Sequence, residues 1–130
     1  MEPPKTKTIL IVDDEEDFCF FVKQNLQQLG PYQVLIATDG ASGLKMAGQL
    51  HPDVILLDIL MPRMGGLEVL KKLKANADTM EIPVLMLTAK NDAESKQQAA
   101  QGYDEDYLVK PVQADFLKMK IERALSRIGR

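Results

Sequence analysis

Histidine and cysteine are almost missing from this chain: each occurs once, as His51 and Cys19. A lone cysteine excludes an intramolecular disulfide and fits a reducing, cytoplasmic setting. Cys19 stands among Phe18, Phe20 and Phe21, which favours a buried, inert thiol over a reactive one. A lone histidine cannot build a His-rich metal centre, and His51, just before Pro52, reads as a surface residue at a helix end. No apolar run approaches the roughly 20 residues that span a bilayer. The leading "MEPPKTKT" is polar and proline-bearing, unlike a signal peptide or an anchor. There is no basic excess either: the net charge is -3, so direct nucleic-acid binding has no electrostatic footprint. Internal repeats and low-complexity linkers are also absent. What remains is 130 residues, 45% apolar and 27% charged, the balance of one globular domain. Residues 1–6 read as a flexible N-terminal segment and 7–130 as the domain.

Short apolar runs alternate with longer helical patterns. Strands are expected at 8–12 (TILIV), 33–38 (QVLIAT), 53–58 (DVILLD), 84–89 (VLMLTA) and 106–110 (DYLVK). Helices are expected at 15–30, 40–50, 66–77, 91–101 and 112–128. In the first helix Phe18, Phe21, Val22, Asn25, Leu26 and Leu29 fall near helical spacing. In the third, Leu67, Val69, Leu70 and Leu73 do so, and "KKLK" at 71–74 is a solvated face. In the fourth, Asn91 and Glu94 are placed like a capping box. In the last, Phe116, Leu117, Met119, Ile121, Leu125 and Ile128 are available for the buried side. Met46, Met61, Met64, Met80, Met86 and Met119 read as core and loop filler. Five βα units imply an α/β fold: a doubly wound, five-stranded parallel sheet, order 2-1-3-4-5, flanked by five helices, flavodoxin-like in winding.

Such sheets bind ligands beyond the carboxyl ends of their strands, where the winding reverses. At those ends stand Asp13-Asp14, Asp58, Thr88 and Lys110, on strands that are spatial neighbours in this order. Three crowded carboxylates raise one another's pKa, and a divalent cation removes the conflict. Hard oxygen ligands select Mg²⁺. A metal, an ammonium and a hydroxyl around one carboxylate form apparatus for spreading phosphoryl charge. The carboxylate can itself be the nucleophile, giving an aspartyl-phosphate. "VILLDILMPRMGG" (54–66) then makes sense: a rigid strand delivers Asp58, Met61-Pro62 stiffens the loop, and Gly65-Gly66 lets it turn into the next helix.

Together, "VDDEED", "VILLDILMPRMGG", "VLMLTA" and "DYLVKP" resemble the receiver domains of two-component response regulators, the CheY-like family, over roughly residues 7 to 128. The resemblance implies a cytoplasmic signalling switch rather than an enzyme, beyond autocatalytic phosphoryl acceptance and slow self-dephosphorylation. Asp58 matches the phosphoacceptor. Asp13 and Asp14 match the acidic pair that binds Mg²⁺, with the backbone carbonyl of Leu60 as a further ligand. Thr88 matches the hydroxyl that turns toward the phosphoryl group, Lys110 the lysine that pairs with it, and Tyr107 the switch aromatic. Lys110-Pro111 matches a cis peptide. Leu60, Ala89 and Lys90 hold positions that tune phosphoryl lifetime. The implied partners are a sensor histidine kinase or phosphotransfer protein and a downstream effector or fused output domain, with readout through the helix at 91–101, the fifth strand and the last helix. A stand-alone regulator and a domain of a larger protein both stay open.

Each residue also has a plainer reading. Glu15, Glu16 and Asp17 read as an acidic first turn favouring the helix dipole. Asp58 or Thr88 alone could be a cap, Lys110 alone a solvated strand end, and Tyr107 an edge aromatic packing on the last helix. Two features depart from the family pattern. Gly102 lies eight residues before Lys110 rather than seven and is followed by Tyr103 in an acidic loop, and Val112 replaces a common phenylalanine. Two rival functions are a haloacid-dehalogenase-type phosphatase using Asp13, although Glu15 stands where that class has Asp, and a flavodoxin-like flavin carrier, although its phosphate loop would not be acidic.

Overall fold

Every residue of Val54–Asp58 is buried, because this strand runs through the middle of the sheet with helices on both faces. The computed structural model describes residues 5–89 and 106–127. Five strands, β1 (Lys7–Val12), β2 (Tyr32–Ala37), β3 (Val54–Asp58), β4 (Val84–Thr88) and β5 (Asp106–Val109), form one sheet in the order β2-β1-β3-β4-β5. All the pairings are parallel. The helices are α1 (Glu16–Leu29), α2 (Gly40–Leu50), α3 (Gly66–Ala75) and the C-terminal helix α4 (Ala114–Arg127). That is four helices among the described residues against five expected. The helix expected at 91–101, with Asn91, Glu94 and the following Gly102-Tyr103, lies outside them. Element bounds otherwise agree with the sequence pattern to within about two residues.

The strands alternate faces, so the sheet splits the core in two. One half joins Ile9, Ile11, Leu56 and Leu87 to Cys19, Val22 and Leu26 of α1 and Leu117, Ile121 and Leu125 of the C-terminal helix. The other joins Leu10, Val12, Leu57 and Met86 to Ala47 of α2 and Val69, Leu70 and Leu73 of α3. Two expected stripes need correcting. In α1 the buried residues are Cys19, Val22 and Leu26, while Phe21 is 52% exposed and Leu29 lies near the surface. In the C-terminal helix Phe116 and Met119 are exposed, and Ala124 takes the inner position instead. Among the methionines, Met86 is core and Met46, Met61 and Met64 pack at its edge, but Met80 and Met119 are exposed.

α2 lies close on β1. A Cβ at Gly43 would sit 2.8 Å from both Val12 γ-carbons, one residue before Asp13. Gly43→Ala gains helix propensity but drives a stiff valine aside, so a net loss of about 1–2 kcal/mol is expected. A lowered urea midpoint at constant m-value would show it.

Candidate functional site

The end of β1 delivers Asp13 and Asp14 to one sheet edge, and β3, β4 and β5 deliver one polar group each to the same edge. The Asp13 N–H donates to the Ala37 carbonyl (3.0 Å), carrying the β1–β2 ladder one residue beyond the strand. The Lys110 N–H donates to the Thr88 carbonyl (2.8 Å) and does the same for β4–β5. Asp13 and Thr88 are wholly buried and Asp58 is 5% exposed. One ligand oxygen from each of Asp13, Asp14 and Asp58 lies within 4.8 Å of the others. Lys110 Nζ stands 2.6 Å from Asp13 Oδ2, 2.6 Å from Glu15 Oε1 and 3.7 Å from Asp58 Oδ2. The cleft between them, about 280 Å³, is lined by Asp14, Glu15, Asp58, Leu60, Ala89 and Lys110.

The electrostatics follow from burial. Burial first, and the Asp13 charge second, push the Asp58 carboxyl up to about 7, against Lys110 and the Leu60 N–H, which favour its charged form. Burial also raises the Asp13 carboxyl, opposed by Lys110 and by the Glu15 N–H, which donates to Asp13 Oδ1 at 2.9 Å. For Lys110, burial works against the charge, but Asp13 and Glu15 outweigh it and hold the ammonium above its ordinary range. Cys19 is buried as expected, its S–H donating to the Asp13 carbonyl at 3.3 Å. Burial, helped by the Asp13 charge, pushes that thiol up to about 12, which keeps it inert.

The residue set suits a small, hard cation. Asp13 Oδ2 is buried and has the Lys110 charge beside it, yet no donor is aligned on it. Three carboxylate oxygens gathered within 4.8 Å of one another are a hard donor set that would suit Mg²⁺, directly or through water. An acidic cluster that can bind a metal is therefore present. Leu60, whose carbonyl was expected as a further ligand, lines the same cleft.

Three of the sequence readings gain structural detail. The Thr88 hydroxyl donates to the carbonyl of its own neighbour Ala89 (3.3 Å). Tyr107 is half-buried and packs against the Leu57–Met86 side of the core. Burial raises its phenol pKa. In the β3–α3 loop the left-handed residue is Arg63 (φ 67°), while Gly65 has an ordinary φ of -74°. Gly66 is needed for closeness, since its Cβ would meet the Asp58 carbonyl oxygen at 2.1 Å. The Lys110-Pro111 peptide is cis. Glu15, read from the sequence as a helix-dipole residue, is the group sequence reasoning missed: it is an ion-pair partner of Lys110. Only its place beside Asp13-Asp14 hinted at this. Lys90 lies outside the described residues.

Residues 9–122 match the family described as response regulator receiver domain. The chain belongs to that family. This receiver domain is 38% identical over 122 residues to the DNA-binding dual master transcriptional regulator RpaA of Synechocystis sp., covering 94% of this chain and 50% of that protein. It is 36% identical over 118 residues to protein PilH of Pseudomonas aeruginosa, covering 91% and 97%. Its fold superposes on the Vibrio cholerae chemotaxis protein CheY4 with a TM-score of 0.84 at 33% identity, covering 92% and 99%. The receiver domain spans about half the length, or less, of several curated relatives it matches. Among the described residues no helix is long and apolar enough to cross a membrane.

Proposed function

We propose that this receiver domain is a phosphorylation switch in which Asp58 takes a phosphoryl group from a phosphohistidine on a sensor kinase or phosphotransfer protein. The observation that carries this reading is the placement of Asp58: a nearly buried carboxylate, 3.7 Å from a lysine ammonium and within 4.8 Å of two further carboxylates, at the mouth of a cleft. An Asp58 oxygen attacks phosphorus as the bond to the imidazole nitrogen breaks, and the nitrogen leaves with the bonding pair. The chain's work is positioning and charge neutralisation. Lys110 pairs with a phosphoryl oxygen. Thr88 turns its hydroxyl away from the Ala89 carbonyl toward the new group. Asp13, Asp14, Asp58 and the Leu60 carbonyl would hold Mg²⁺, which supplies a positive centre for the transferring phosphoryl oxygens.

The phosphorylated state then shifts the population of conformations around Tyr107, β5 and the C-terminal helix, together with residues 91–101, for a downstream effector or output domain to read. Acceptance is autocatalytic, and self-dephosphorylation is slow, so the domain is a switch and not a turnover enzyme. Asp58 lines the cleft whereas Asp13, wholly buried, is not among its lining residues, which favours Asp58 over Asp13 as the nucleophile.

Intact-mass measurement after incubation with acetyl phosphate and Mg²⁺ tests the reading. One added phosphoryl group is expected on the wild type and none on Asp58→Asn or in excess EDTA. A label that persists on Asp58→Asn would overturn it.

A further inference from the structure

The Glu15 carboxylate reaches Lys110 Nζ across 95 residues of sequence, at 2.6 Å, while Asp58 Oδ2 stands 3.7 Å from the same nitrogen. We propose that Glu15 is a latch on Lys110: it holds the ammonium toward the open side of the cleft while Asp58 is unmodified, and so sets the affinity of the site for a phosphoryl group. The proposal deepens the reading of Asp58 as phosphoacceptor and rests on it.

Local structure fixes the latch in place. Glu15 precedes α1 in extended conformation (φ -86°, ψ 95°), and its N–H is tied to Asp13 Oδ1. Its carbonyl accepts from the Cys19 N–H at 3.1 Å, and the Cys19 thiol closes the same turn on the Asp13 carbonyl. The side chain therefore leaves the turn at the cleft mouth. Phe18, one turn further on, offers a second hold, its ring centroid 4.6 Å from Nζ. Lys110 is thus gripped by Asp13, Glu15 and Phe18.

A phosphoryl group on Asp58 demands the same ammonium. To reach it, Lys110 must stretch or leave its contact with Glu15, so the latch opposes phosphorylation by the strength of that contact. Glu15 is 63% exposed, and such pairs are weak. The counterpull amounts to about a two- to fivefold change in affinity. Glu15 acts through Lys110 and is a positioning residue.

Beryllium fluoride with saturating Mg²⁺ serves as the probe, because it mimics a phosphoryl group without turnover. Glu15→Gln is expected to bind it about two- to fivefold more tightly than wild type. The Lys110 ζ-ammonium resonance is expected to move in metal-free Glu15→Gln. Glu16→Gln removes the same charge one residue away, and both readouts should stay at wild-type values. Unchanged or weaker binding by Glu15→Gln overturns the latch, and so does an equal gain in Glu16→Gln, which would mark a through-space charge effect. If wild type is phosphorylated on Asp58 but Glu15→Gln shows no gain, the latch alone fails. If folded wild type takes neither beryllium fluoride nor phosphoryl, the switch reading fails and the latch with it.

Discussion

Alanine at position 66 is expected to lower stability by about 3 kcal/mol and to slow phosphoryl uptake by on the order of 100-fold. The reason is a backbone clash. A Cβ on Gly66 would stand 2.1 Å from the Asp58 carbonyl oxygen and 2.8 Å from the Asp58 carbonyl carbon and the Ile59 Cα. No flexible side-chain end can give way here. The loop is pinned on both sides, by the Ile59 N–H donating to the Leu87 carbonyl and the Gly66 N–H donating to the Ile59 carbonyl, both at 2.9 Å. To relieve the contact, either α3 must back away from the sheet or the end of β3 must move. The first opens a gap beside Val69 and Leu70, both fully buried. The second displaces the residue that carries the chemistry. A drop in the urea midpoint together with slow labelling by acetyl phosphate is the expected pair of results. A variant with wild-type midpoint and wild-type labelling would show that the loop is far softer than its hydrogen bonds imply.

Most of this architecture was readable in advance because parallel strands buried on both faces leave uninterrupted apolar runs, and each such run here stops at a polar residue. VILLD ends on Asp58 and VLMLT on Thr88, and the winding order alone brings those ends to one edge. The amphipathic elements were harder. "DFCFFV" is apolar at nearly every position, so period alone could not decide between Phe21 and Cys19 as the inward residue. Packing chose the smaller side chain, which lies under the Asp13 carbonyl. Of the Gly65-Gly66 pair, Gly66 is required by close approach, which depends on another chain segment, and not by backbone freedom. Glu15 was hidden for the same cause. An acid in a first turn satisfies a local rule so well that nothing in the sequence points to a cation 95 residues away.

Asp58 should also make metal-free protein progressively less stable as pH rises from about 4 to about 7. In the unfolded chain an aspartate ionises near 3.9. In the folded protein burial and Asp13 hold the Asp58 carboxyl up at about 7. Below about pH 4 both states carry the proton, and the group does not affect folding. Between the two values the unfolded chain has lost the proton while the native state keeps it. The native state then binds more protons, so stability falls with rising pH. Above about 7 both are ionised and the loss is complete, on the order of a few kcal/mol. Asp13 acts with the same sign, its carboxyl also being raised by burial. Asp58→Asn cannot titrate. Any gain or loss from its amide hydrogen bonds is a constant offset, whereas its stability relative to wild type should climb from pH 4 to 7 and then level. Thermal melts across that range in EDTA measure the slope directly. Because Mg²⁺ requires ionised carboxylates, adding it should raise the wild-type melting temperature more at pH 8 than at pH 5. A flat difference between wild type and Asp58→Asn would mean that Asp58 is already ionised at pH 4. Lys110 would then neutralise it far better than its 3.7 Å separation suggests.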